Sequence, residues 1–186
     1  MSIPLRRVLV FASFILFFFS SCSQDNVQNV YSKYRAFFNY TKVLTAHPLY
    51  TAVTGTGSYC TISAQATTLY FQSPTESYQD NLTDADFYKQ IIWIGGLIVG
   101  RSNVPDMTTG DLPLLCFDRA CPNCYKEDDI TKPLTLKENG EAYCTRCKRT
   151  YDLNNLGIIK TGDNGVKLFR YMVIYNGSST LVVNNI

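Results

Sequence analysis

Leu168-Phe169-Arg170-Tyr171-Met172-Val173-Ile174-Tyr175-Asn176-Gly177-Ser178-Ser179-Thr180-Leu181-Val182-Val183 reads as two β-strands joined by a turn. β-Branched and aromatic side chains fill both flanks, and Asn176-Gly177 is the dipeptide that a hairpin turn favours. Similar runs, broken by Gly, Asn, Asp and Pro, recur upstream at residues 35–40, 58–63, 68–71, 91–99, 114–117 and 141–143. Together with 168–175 and 180–183 they predict an all-β fold of antiparallel sheets. Only 83–90 reads as helix, with Thr83 as N-cap and Asp84 and Asp86 in its first turn.

Within this frame lie Cys121-Pro122-Asn123-Cys124, nineteen further residues, and Cys144-Thr145-Arg146-Cys147. Zinc–sulfur bonds of roughly 2.3 Å hold tetrahedral sulfurs about 3.8 Å apart, a span that a two-residue spacer covers in one tight turn. Two such pairs make Cys121, Cys124, Cys144 and Cys147 the candidate metal ligands. The competing reading is a pair of local disulfides or a redox dithiol, which an oxidising compartment would favour.

The N-terminus sets that compartment. Residues 1–7 carry Arg6 and Arg7 and no acid, 8–19 are almost wholly apolar, and Ser20-Ser21-Cys22 follows. This is the order of a secretory signal peptide, too short in its apolar run to span a bilayer comfortably. The junction resembles the bacterial lipoprotein processing box, with Phe19 in place of the usual leucine-like residue. The resemblance implies lipidation of Cys22 after removal of 1–21 and attachment to a membrane surface. Residues 22–33 are polar and read as a tether, and the domain is expected over 34–186.

Of the 186 residues, 165 follow the expected cleavage point, enough for one well-buried domain. Fifteen basic residues then face fifteen acidic ones. With no basic cluster interleaved with aromatics, this balance argues against nucleic acid as partner.

A family resemblance rests on particular residues. Phe117-Asp118-Arg119-Ala120-Cys121-Pro122, and Tyr143-Cys144-Thr145-Arg146-Cys147 leading into Thr150-Tyr151-Asp152-Leu153 and Gly157, resemble the two cluster loops of Rieske-type proteins. Gly96-Leu97-Ile98-Val99-Gly100-Arg101 resembles the strand entering the first loop, and 168–183 the closing hairpin. The chain is similar in particular to Rieske-like lipoproteins of Bacteroides-type bacteria, over roughly residues 55 to 186. The resemblance implies a Rieske-like β domain with metal-binding loops at 116–126 and 142–157.

The ligands depart from that family. Rieske loops supply two cysteines and two histidines, whereas this chain has one histidine, His47, in Ala46-His47-Pro48. It reads as filling a strand end rather than ligating metal. Asn123 stands at the first histidine position, Cys147 at the second, and Lys148 where a glycine follows. Four thiolates hold zinc, a single iron or an all-thiolate two-iron, two-sulfur cluster, and spacing separates these poorly. Arg146, Lys148 and Arg149 are placed to offset the two excess negative charges of a zinc tetrathiolate; their alternative reading is a solvated basic loop.

Cys60 and Cys116 remain, as a disulfide between adjacent strands or as two buried thiols. No nucleophile has a basic partner in a recognisable motif, and no phosphate-binding loop is present. The expectation is a cell-envelope lipoprotein, facing periplasm or cell surface, with a structural zinc site and a binding or scaffold role toward a protein partner that the sequence does not name. The alternatives are an iron-dependent electron carrier and a thiol–disulfide oxidoreductase.

Overall fold

The computed structural model describes residues 30–82 and 91–186. The signal peptide expected at 1–21, Cys22, residues 23–29 of the expected tether and the helix expected at 83–90 lie outside the described residues. In chain order the elements are β1 (Ala36–Tyr40), α1 (His47–Thr54), β2 (Tyr59–Gln65), β3 (Thr68–Gln72), β4 (Ser77–Asn81), β5 (Leu97–Arg101), β6 (Leu114–Asp118), α2 (Pro122–Asp128), β7 (Thr135–Lys137), β8 (Glu141–Tyr143), β9 (Thr150–Asp152), β10 (Ile158–Thr161), β11 (Arg170–Tyr171), β12 (Val173–Tyr175) and β13 (Leu181–Asn185). They form a six-stranded sheet, β11-β6-β5-β2-β3-β4, a four-stranded sheet, β10-β9-β8-β7, and a three-stranded sheet, β1-β13-β12. Every pairing within them is antiparallel, so the fold is all-β, with two short α-helices among the described residues.

Strand alternation places the six-stranded sheet in the middle. Cys60, Ile62, Leu97, Val99 and Cys116 face one core, shared with Phe38 and Tyr40 of β1, Leu49 and Val53 of α1, and Leu181 and Val183 of β13. Their neighbours Tyr59, Ile98, Leu115 and Phe117 face a second core with Leu134, Ala142, Tyr151, Leu153 and the cysteines of the candidate site. A strand buried on both faces reads as a continuous apolar run, and Leu97-Ile98-Val99 and Leu115-Cys116-Phe117 are such runs. Each large side chain buried there contributes roughly 1.5–3 kcal/mol.

Several elements differ from expectation for identifiable reasons. The run 91–99 yields a strand only from Leu97, because Ile92 makes a lone bridge to Phe37 and the Ile94 and Gly95 N–H groups donate to the Asp118 carboxylate instead of a ladder. The run 168–175 splits at Met172: Arg170 and Tyr171 pair with β6, whereas Val173–Tyr175 pair with β13. His47 does not fill a strand end; it begins α1 and is exposed, because Pro48 suits the first helical turn and Pro48, Leu49, Ala52 and Val53 make one buried face. Asn176 holds a five-residue connection rather than a two-residue turn, its side-chain oxygen accepting from the N–H groups of Ser178, Ser179 and Thr180 at 3.0 Å each. Ser32 and Tyr34 also join the domain: the Asn185 amide donates to their carbonyls at 2.8 and 2.6 Å, so the domain's contacts begin inside the stretch read as tether.

Among the described residues no helix is long and apolar enough to cross a membrane.

Candidate metal centre

Cys121 is the N-cap of α2, so one turn of helix carries Cys124 back toward it. The second pair sits beside the first, in the loop between β8 and β9. There the Cys144 N–H donates to Arg149 O and the Lys148 N–H to Cys144 O, each at 3.0 Å, closing a tight loop. The loop closes because Lys148 adopts a left-handed backbone, φ 62°. A lysine therefore makes this turn without a glycine. Lys148→Gly should remove the strain of a side chain at positive φ and stabilise the domain by about 0.5–1 kcal/mol. A urea melt of the variant at or below the parent's midpoint would contradict this.

The ligand atoms of Cys121, Cys124, Cys144 and Cys147 all lie within 4.8 Å of one another. Cys121 Sγ is 3.6 Å from Cys147 Sγ, and Cys124 Sγ 3.7 Å from Cys144 Sγ, close to the edge of a tetrahedral thiolate cage. Cys121, Cys124 and Cys144 are buried, and Cys147 alone reaches solvent. Four soft sulfur donors converging from two loops fit a metal ion.

The surroundings tune these sulfurs unequally. Burial pushes the Cys124 thiol well up, and the neighbouring thiols Cys121 and Cys144 add to it. At Cys147 burial is the largest single influence and also raises the thiol. The Arg149 N–H and guanidinium, with Cys121 and Cys144, outweigh it and bring the thiol down to about 7. Of the three basic residues expected to offset charge, Arg149 does so from a buried position: its Nε donates to Asp163 O at 3.0 Å, and its Nη2 to Asn164 O at 3.0 Å and Glu127 Oε1 at 3.3 Å. Arg146 pairs with Asp128 on the exposed rim, 3.0 Å apart. Lys148 is exposed.

Three contributors were not legible as such in the sequence. The Tyr151 hydroxyl lies 3.3 Å from Cys121 Sγ, and the Asn123 amide donates to it at 2.8 Å. Asn123 is itself buried and exchanges two bonds with Val166, donating to its carbonyl at 3.0 Å and accepting from its N–H at 2.9 Å. Gly165 is required beside it, since a Cβ there would come within 2.1 Å of Asn123 Oδ1. At Asn123 the sequence offered its place between two cysteines, at the position read against a Rieske-type histidine, and nothing of its hydrogen bonds.

Cys60 and Cys116 do not pair. Both stand opposite Val99 in the ladders on either side of β5, so two strand spacings, about 9.6 Å, separate them. A disulfide needs Cα atoms within about 7 Å. They are buried free thiols, raised by burial, in the core away from the four-sulfur group. Cys22 lies outside the described residues. His47 is not part of the sulfur group.

No family model, curated protein or solved structure matches this chain.

Proposed function

We propose that the chain is a cell-envelope lipoprotein whose Rieske-like domain holds one structural zinc ion through Cys121, Cys124, Cys144 and Cys147 and serves as a binding module at a membrane surface. The observation that carries the metal reading is the convergence of all four sulfurs within 4.8 Å. A two-iron cluster places a second metal and two bridging sulfides between its thiolate pairs, which would hold those pairs further apart. The geometry therefore favours a single ion. Zinc suits a closed four-thiolate site that ties loops together and performs no redox chemistry. The Rieske-like reading is supported by the positions of Asn123 and Lys148: one fills the place of a lost ligand with hydrogen bonds, and the other keeps a left-handed turn.

A single iron in the same cage would instead make an electron carrier. Purified protein is expected to be colourless and to contain about one zinc per chain. Stoichiometric iron with visible thiolate absorption would replace the zinc reading, and absence of any metal would remove the site altogether. The anchor is tested separately: Cys22→Ala should abolish incorporation of labelled fatty acid, and persistent labelling would refute the lipoprotein reading.

A further inference from the structure

We propose that the cleft between β7 and the turn joining β3 to β4 binds an extended peptide segment of a partner protein, taking it as an added strand on β7 and pairing one of its side-chain carboxylates with Arg119. The proposal names a partner for the binding-module reading and rests on it.

The open edge of β7 follows from hydrogen-bond phase. Cys144 N–H donates to Arg149 O, and Leu153 N–H to Gly140 O, so the even-numbered residues of this stretch face β9. Glu141 and Tyr143 therefore face β7, where they stand opposite Lys137 and Thr135. The N–H and C=O of Leu136, between those two, point away from β8. The same phase holds just upstream, where Leu134 N–H donates to Arg119 O and Lys132 O accepts from Cys121 N–H. Past Arg119 the neighbouring chain leaves this edge for β6. Among the described residues, the Leu136 backbone groups on that side have no partner.

That edge opens onto space. One cavity of about 440 Å³ is lined by Thr61, Gln72, Ser77, Arg119, Thr135 and Leu136, among others. A second of about 230 Å³ continues past Lys137, Glu138 and Asn139. Both share the wall Ser73-Pro74-Thr75, so the trough runs the length of β7. Hydroxyls and two amides line much of it, and a sheet edge beside such a wall is suited to strand addition.

Arg119 supplies the charge preference. Its Nε donates to Leu134 O at 3.2 Å, and neither terminal nitrogen has a partner among the described residues. The guanidinium is half-buried and has no counter-ion among the described residues. The other charged groups lining the trough are Lys137, Glu76 and Glu138; Lys137 Nζ sits over the Tyr143 ring, 4.4 Å from its centroid, and Glu76 is exposed without an ion pair to Arg119. A planar fork in a desolvated wall selects a carboxylate.

The test is selection of random heptapeptides displayed on phage against the full chain in detergent micelles, followed by fluorescence anisotropy of the selected peptides. Enriched peptides are expected to carry Asp or Glu. Arg119→Gln should weaken them about tenfold or more, and Arg119→Lys less, while Glu76→Gln tightens them. In an amide nitrogen–proton spectrum the Leu136 N–H should shift on binding. No enrichment, peptides without acids, or equal binding to Arg119→Gln overturns the proposal. Tighter binding of a peptide of residues 22–29 than of any selected sequence overturns it too, assigning the trough to the chain's own tether. Metal content measured on the same samples judges the zinc reading independently, and melting curves establish that each variant is folded.

Discussion

Cys144→Ser is expected to strip the metal and lower the melting temperature by about 10 °C or more, with the parent in strong chelator falling by a similar amount. The reason is how little else holds the intervening chain. Of the nineteen residues between Cys124 and Cys144, only Leu134 and Ala142 bury apolar side chains fully. The strands there, β7 and β8, have three residues each. Ordering such a stretch costs about 1–2 kcal/mol per residue in backbone entropy alone, which two buried side chains do not offset. Metal binding to four thiolates supplies folding free energy directly. A domain of this size shifts by about 2–4 °C per kcal/mol, so loss of roughly 3–5 kcal/mol reaches the stated drop. Cys60→Ala is the control: it removes a buried thiol from the other core and should leave metal content unchanged. A melting temperature for Cys144→Ser equal to the parent's, with or without chelator, would show that the centre does not hold the fold.

Asp118→Ala should be at least as damaging, without touching a ligand. The Asp118 carboxylate is fully buried and accepts from the N–H groups of Ile94, Gly95 and Ala120 at 2.8, 2.9 and 2.7 Å and from the Tyr171 hydroxyl at 3.1 Å. These bonds join the bend before β5, the entry to the first cysteine loop and the strand β11. Alanine leaves two buried donors and two partly buried ones without an acceptor, at about 1–3 kcal/mol for each buried donor, against a total stability near 5–15 kcal/mol. The variant is expected to be largely unfolded, and a cooperative melt within about 5 °C of the parent would contradict this. Burial raises the carboxyl above its ordinary value and outweighs the four donors. With the folded value raised, the folded state binds the extra proton, so this group's contribution to stability falls as pH rises from the ordinary value through the folded one. Asp118→Asn should flatten that part of the pH profile of the melting temperature.

Local sequence was most informative where side chains repeat with period two. β1, β2, β3, β6 and β8 lie within a residue or two of the runs that predicted them, because apolar or aromatic side chains fill their core-facing positions. β4, β7, β9 and β10 escaped because they are short or polar, and Ser77-Tyr78-Gln79-Asp80-Asn81 is a strand only because β3 lies beside it. The ligands were legible because their chemistry needs a fixed spacing. Tyr151 was not legible in the role it plays, and Arg149, though expected to offset charge, was not legible as the buried one of three basic residues, since each acts through contacts that depend on how β9 and the loop at 163–166 pack. For Cys60 and Cys116 the sequence left a disulfide and two buried thiols open, and the thiols hold because β5 comes between their strands in space.

The pairing of β1 with β13 brings Ala36 opposite Asn185 and Tyr40 opposite Leu181. The first core therefore stays open until almost the last described residue has been synthesised, because Leu181 and Val183 supply part of its wall and β1 has no ladder partner before them. Contacts so distant in sequence must overcome loop-closure entropy before they contribute, which slows folding and leaves β1 without its ladder in the nascent chain. A chaperone that recognises apolar segments of the nascent domain would hold β1 until residues 181–183 arrive.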